Sequence, residues 1–320
     1  ALFTNVHKDA VISLSDVKNI YEIPLLLHEQ KVDRILLDKL KRKTHDADPK
    51  DWKHVNEAEA TQDTKLAMVG KYTELKEAYK SLNEALAHAG IHTQTRLEIA
   101  FIDADSVSDH STEAFKDIDA ILIPGGFGDR GVEGKIKAIR YAREQHIPFL
   151  GICLGMQLAL VEFARHVVGL KQANSSEFNP DTPDPIISLI SEWQDASGHT
   201  EKRSEQSDLG GSMRLGGQAC VLAKNTRLHA IYAKDEIRER HRHRYEVNPA
   251  YVTQLESAGM CISGRSKDGA LVESIEITEH PWFVACQFHP EFTSNPRDGH
   301  VLFQSFVEAA GLYRQQKENK

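Results

Sequence analysis

The 320-residue chain is poor in cysteine, in long apolar runs and in basic charge, and each shortage removes a class of function. Its four cysteines, Cys153, Cys220, Cys261 and Cys286, include no C-x-x-C pair, which excludes zinc-ribbon and thioredoxin-like chemistry. Four are also too few for a disulfide scaffold, so a reducing, cytoplasmic setting is expected. No stretch approaches the roughly 18 uninterrupted apolar residues of a membrane span. The start, Ala1-Leu2-Phe3-Thr4-Asn5, lacks the basic and apolar regions of a signal peptide. With 39 Lys+Arg against 47 Asp+Glu, a net charge of −8, the chain offers no basic footprint for nucleic acid. What remains is an ordinary globular composition, 40% hydrophobic and 27% charged, at a length that suits about two domains.

The first 64 residues differ from the rest. Ser15 is placed to cap a helix over Asp16–Tyr21, and Pro24 to start a second one carrying Leu25, Leu26, Ile35, Leu36 and Leu40. Residues 44–64 are polar and charged and read as a linker with a turn of helix near Trp52. This segment lacks a core of its own and is expected to dock on something else. From Lys65 onward strands and helices alternate. The apolar run Leu66–Gly70 precedes Leu75, Ala78, Tyr79, Leu82, Leu86 and Ala89 at helical spacing, with Gly90 as the stop. Alternating Leu97, Ile99 and Phe101, the run Ile118–Pro124, a helix over Glu133–Gln145, a strand over Ile147–Ile152 and a helix over Leu154–Val168 follow. This rhythm predicts an α/β fold, a doubly wound, mostly parallel sheet with helices on both faces. Beyond Ile186 strands dominate, ending in a strand over Trp282–Phe288 and a helix over Arg297–Tyr313.

Three segments carry chemistry. Gly151-Ile152-Cys153-Leu154-Gly155 lies between a predicted strand and a predicted helix. A nucleophile at such a bend needs small neighbours, and the helix behind it offers unpaired N–H groups and a positive dipole end that favour thiolate over thiol. In isolation the pattern reads first as a structural cysteine in a tight turn. The second segment, Pro124-Gly125-Gly126-Phe127-Gly128, closes another predicted strand, and loops at the carboxyl ends of parallel strands share one sheet edge. There the N–H groups of Gly126 and Leu154 can form an oxyanion hole. The third is His289-Pro290-Glu291. Pro290 restrains His289 to extended geometry, and extended residues two apart face one way, so Glu291 can hold the imidazole. Together these are the parts of a triad in which Cys153 attacks, His289 moves protons and Glu291 orients it.

With the longer blocks Asn174–Phe178, Arg203–Gly216, Glu239–Asn248 and Phe288–Ser294, the chain resembles the class I glutamine amidotransferases, and among them the glutaminase half of the CTP synthases. Residues 1–43 resemble the end of the synthetase domain, 44–64 the interdomain linker and 65–320 the amidotransferase domain. The resemblance implies hydrolysis of L-glutamine through a Cys153 thioester, the ammonia serving ATP-dependent amination of UTP to CTP. It implies that Gly126, Phe127, Leu154, Gly155, Met156, Gln157, Glu177 and Arg244 bind glutamine, with Glu177 at the α-ammonium and Arg244 at the α-carboxylate. It extends to an adenine-nucleotide contact at Ser15, Asp16 and Val17, and to a lid, Arg203–Gly216, tied to GTP as allosteric activator. The hydrolysis itself calls for no cofactor and no metal. ATP and Mg would act in the synthetase domain, whose phosphate-binding loop motif is missing here. The chain is therefore expected to be a piece of a longer, homo-tetrameric enzyme. The alternatives are another class I amidotransferase, a γ-glutamyl hydrolase, or a non-catalytic oligomer-forming module.

Overall fold

The computed structural model describes residues 3, 5–43, 47–71, 76–108, 112–189, 192–194, 200–202 and 213–319. Its first part carries three short helices, α1 (Ile23–Glu29), α2 (Val32–Lys39) and α3 (Lys50–Glu57). Asn19, not Ser15, supplies the cap ahead of α1, its side chain accepting from the Tyr21 N–H above a 3₁₀ turn over Ile20–Glu22. Asn19 can close a capping box with Glu22 three residues on, an option Ser15 lacks. Pro24 stands in the first turn of α1 as expected. The single helix predicted to run on through Leu40 is broken because Lys31 adopts φ 57°, outside the right-handed helical region. The segment docks on the rest of the chain. Tyr21 donates its hydroxyl to Glu84 at 2.8 Å and lies 2.9 Å from His88 Nε2, while Asn56 Nδ2 donates to the Tyr21 carbonyl at 2.7 Å.

The alternating part follows as β1 (Gln62–Gly70), α4 (Lys80–His92), β2 (Thr95–Asp103), α5 (Thr112–Phe115), β3 (Ala120–Ile123), α6 (Val132–Glu144), β4 (Phe149–Ile152) and α7 (Leu154–Phe163). Gly90 does not stop α4, which continues to His92; the residue is small because the Thr95 carbonyl packs against it. Then come β5 (Asn174–Ser175), β6 (Pro185–Leu189), β7 (Glu192–Gln194), β8 (Thr200–Lys202), β9 (Arg214–Leu222), α8 (Arg227–Tyr232), β10 (Glu236–His243) and β11 (Tyr245–Val247). The chain ends with α9 (Pro249–Ser257), β12 (Met260–Ser266), β13 (Val272–Ile277), β14 (Phe283–Cys286) and α10 (Val301–Glu318). The last helix begins at Val301 rather than Arg297, since His300 caps it through the Leu302 N–H.

Nine strands make one sheet in the order β10-β9-β12-β13-β14-β4-β3-β1-β2. From β14 to β2 neighbours pair parallel, and from β10 to β14 antiparallel, so the expected parallel, helix-flanked half is extended by an antiparallel half. Alternate residues divide between two cores. Ala67, Ile121, Phe149 and Phe283 pack on the face covered by α6 and α7, whereas Leu66, Leu122, Leu150 and Val284 pack on the face covered by α4 and α10. The carboxyl ends of β1, β3, β4 and β14 thereby meet along one edge. Among the described residues no helix is long and apolar enough to cross a membrane.

Phe149 and Phe283 pair in register on β4 and β14 and stack at 4.4 Å between ring centroids, fully buried. Replacing Phe149 with Ala removes this ring from a core that cannot collapse around the gap, and is expected to cost about 3–5 kcal/mol. Urea unfolding should show the lower midpoint with an unchanged slope.

Candidate active site

β4 delivers Cys153 to that carboxyl edge, and α7 begins at the next residue. Cys153 holds φ 53° and ψ −103°, a conformation that a residue with a β-carbon rarely adopts, and it is 3% exposed. Its flanking glycines make the bend possible. A Cβ on Gly155 would lie 2.3 Å from the Ile123 carbonyl oxygen, and one on Gly151 would lie 2.9 Å from the Gly155 backbone. Gly155 therefore serves by its smallness, and Met156 is wholly buried in the core, so neither lines the cavities at the site.

The imidazole arrives from the neighbouring strand. Cys286 pairs with Ile152, and the Cys153 N–H donates to the Cys286 carbonyl at 2.7 Å, so the chain beyond β14 passes across the cysteine. A Cβ on Gly125 would sit 2.8 Å from His289 Cε1 and 3.5 Å from Cys153 Cβ, which places both side chains around one point. His289 Nδ1 lies 2.8 Å from Glu291 Oε1. This contact does not come from extended alternation as expected: Pro290–Phe292 is a 3₁₀ turn, and the turn brings the carboxylate back to the ring. Among the described residues His289 Nε2 has no hydrogen-bond partner. Burial pulls the His289 pKa down, but the neighbouring Cys153 and Glu291 outweigh it and raise it to about 10. Both neighbours thus favour the protonated ring.

Beside the elbow lies a cavity of about 210 Å³ lined by Gly126, Phe127, Cys153, Gln157, Glu177, His243, Arg244 and Tyr245. Five of the expected glutamine-binding residues meet here: Gly126, Phe127, Gln157, Glu177 and Arg244. A Cβ added at Gly126 would lie 3.6 Å from the Leu154 side chain, so the two residues expected to form an oxyanion hole are neighbours. Glu177 accepts from the Gly128 N–H at 3.2 Å. Burial raises its pKa, while that N–H and the charges of Lys71 and Arg244 oppose the rise. Arg244 is carried between β10 and β11, which a buried ion cluster pins. Arg214 reaches Glu246 at 3.2 Å and Glu273 at 2.6 Å, and His243 Nε2 lies 2.6 Å from Glu246.

A second cavity, of about 430 Å³, opens on the other side of Phe127 and shares Gly126, Phe127 and Cys153 with the first. Lys71, Lys135, Arg242, His289 and Glu291 also line it. Lys71 donates to the carbonyls of Phe127 and Gly128, holding the glycine turn. Lys135 is only 2% exposed, and burial, aided by Lys71, pushes its pKa down to about 8. The Arg242 guanidinium lies 5.7 Å from the Phe127 ring centre. The larger cavity of about 720 Å³, lined by Lys65, Arg96, Asp119 and Arg314 among others, lies at the opposite end of the strands and holds none of this chemistry.

Ser15 and Asp16 are exposed and Val17 half-buried in an irregular segment, and none of them lines these cavities. Of the Arg203–Gly216 stretch, residues 203–212 lie outside the described residues. One contact was passed over in the sequence. Gln287 is fully buried, with Nε2 3.5 Å from Cys153 Sγ and Oε1 accepting from Gln157 Nε2 at 3.0 Å. Its signal was positional: it is the first residue beyond a strand whose parallel neighbour ends just before Cys153. Lys135 and Arg242 had no such signal, because a lysine in a helix and an arginine in a strand read as solvated side chains.

Comparison with known proteins matches residues 74–309 to the family model described as glutamine amidotransferase class-I, and residues 1–42 to that of the CTP synthase N-terminus. The glutaminase domain of Trypanosoma brucei CTPS, solved with bound acivicin, is 36% identical at a TM-score of 0.70, over 77% of this chain and 93% of that one. A Thermoplasma acidophilum protein, provisionally described as one component of a GMP synthase, is 15% identical, TM-score 0.47, over 80% of this chain and 98% of that one. A glutamine amidotransferase from Thermotoga maritima is 11% identical, TM-score 0.40, over 78% of this chain and 97% of that one.

The cause of the His289 shift yields a direct expectation. In Cys153→Ala the sulfur charge is lost while burial and Glu291 stay, so the imidazole pKa must fall from about 10. Nitrogen chemical shifts of the ring, followed against pH, should show a cationic ring through neutrality in the parent and an earlier deprotonation in the variant.

Proposed function

The chain belongs to the class-I glutamine amidotransferase family, in its CTP synthase branch, and from that premise we propose that it hydrolyses the side-chain amide of L-glutamine at Cys153. The observation that carries this reading is the pairing of a cysteine–imidazole site with a cavity of amino-acid size whose walls present one carboxylate and one guanidinium. Glu177 suits the α-ammonium and Arg244 the α-carboxylate, leaving the amide to reach the sulfur.

The residues then act in sequence. The Cys153 thiolate attacks the amide carbon, and the oxygen that gains charge is met by the N–H groups of Gly126 and Leu154, neither of which has an acceptor among the described residues. His289, cationic and steadied by Glu291, gives its proton to the departing nitrogen, releasing ammonia and leaving a glutamyl thioester. The neutral ring then takes a proton from water, which attacks the thioester and frees glutamate. Ammonia would serve the ATP-dependent amination of UTP to CTP, with UTP, ATP and Mg handled by a synthetase domain. GTP activation is part of the proposal: the 430 Å³ cavity offers Lys71, Lys135 and Arg242 to phosphates and the Phe127 ring to a base. The four free cysteines suit a reducing compartment, and a cytoplasmic site belongs to the same reading.

Glutamate release measured on the purified chain tests it. Cys153→Ala should abolish hydrolysis. Arg244→Met and Glu177→Gln should each raise KM for glutamine about 10- to 100-fold, the worth of one charge-assisted contact, with smaller effects on kcat. Hydrolysis that survives in Cys153→Ala would defeat the proposal.

A further inference from the structure

We propose that Gln287 is a further catalytic residue: its carboxamide N–H is the donor that holds the Cys153 thiolate, and Gln157 fixes the carboxamide in that orientation. The inference rests on the glutaminase reading above and adds a group to its machinery.

The orientation follows from a chain of hydrogen bonds that begins at a backbone carbonyl. The Tyr245 carbonyl can only accept, so the Gln157 atom 3.0 Å from it is the amide nitrogen. That same nitrogen lies 3.0 Å from the Gln287 carboxamide, and a donor cannot face a donor, so Gln287 presents its oxygen to Gln157. The Gln287 nitrogen is then left pointing at Cys153 Sγ, 3.5 Å away. Backbone bonds hold the frame: the Gln287 N–H donates to the Glu273 carbonyl at 2.8 Å, one residue past the pairing of Cys286 with Ile152. Gln287 is fully buried and lines neither cavity, so bulk water does not satisfy its donor and it does not touch the amino-acid end of the substrate.

A buried N–H beside sulfur distinguishes two charge states. A thiol is a poor acceptor and a thiolate a strong one, so the contact favours the anion. The sulfur is anionic twice in the cycle. It begins as thiolate, then spends its lone pair on the new C–S bond while the carbonyl π pair moves to oxygen. In the second half water adds, His289 takes its proton, and the C–S bond breaks with the electron pair returning to sulfur. Gln287 eases that departure as well as the supply of nucleophile. Gln157, placed by resemblance among the glutamine-binding residues, thus also acts as a positioning residue for the donor.

Gln287→Met keeps the shape and deletes the donor. Its kcat for glutamine hydrolysis should fall about 10- to 100-fold, the worth of a hydrogen bond to a charged group, with KM no higher than in the parent. Gln287→Glu, which turns a carboxylate toward the sulfur, should fall further. A measurement on the unaltered chain covers the case in which both variants misfold: the Gln287 side-chain amide proton should shift when Cys153 is capped with methyl methanethiosulfonate. A folded Gln287→Met variant with parental kcat, a variant that raises only KM, or an amide proton indifferent to capping would each overturn the proposal. Absence of hydrolysis in the parent chain would instead defeat the glutaminase reading.

Discussion

A side chain at φ 53° costs on the order of 1–3 kcal/mol of backbone strain, and the fold sustains it at Cys153 because the surroundings leave no other path. The Ile123 carbonyl presses on Gly155, the Gly155 backbone presses on Gly151, and the Cys153 N–H is tied to Cys286. The bend turns the sulfur out of the sheet edge and sets α7 behind it, and the Leu154 N–H at the start of that helix has no acceptor among the described residues. A larger residue at either glycine would push α7 away from β3 or β4. The bend at Cys153 and the packing of α7 on the central strands are consequently one constraint.

Around the sulfur, charge is arranged by burial and proximity. His289 would lose its proton readily if it were merely buried; Cys153 and Glu291 reverse that and favour the protonated ring. Phe127 forms a wall between two cavities of different character. One sets Glu177 against Arg244, suited to a zwitterion, while the other gathers cations and suits an anion. Cys153 opens on both. The ion cluster of Arg214, Glu246 and Glu273 lies beneath the strands that carry Arg244, where a buried network is rigid only if its members stay paired.

Much of this was legible in the sequence. The alternation from Lys65 to Val168 revealed the parallel half of the sheet because β1, β3 and β4 are largely buried on both faces and read as apolar runs, while the edge strand β2 shows alternating Leu97, Ile99 and Phe101. G-x-C-x-G, P-G-G-F-G and H-P-E marked three segments that the fold brings together around Cys153, since each depends on local chemistry. What stayed hidden depends on tertiary context. Gly90 reads as a helix stop, yet it is small to admit a carbonyl from β2. Ser15 reads as a cap, yet Asn19 wins through its capping box with Glu22. Glu291 reaches His289 through a turn rather than by strand alternation. Gln287 is an ordinary polar residue until the pairing of β14 with β4 lays it beside the sulfur, and Lys135 an ordinary helical lysine until α6 buries it.

Convergence of sulfur, imidazole and carboxylate on an amide is tested most directly by trapping the thioester. Acid quenching during turnover of glutamine, followed by mass spectrometry of the intact chain and its peptides, does this. One glutamyl adduct is predicted, carried on Cys153 alone. Ammonia released with no adduct on Cys153, or an adduct on Cys220, Cys261 or Cys286 instead, would contradict it.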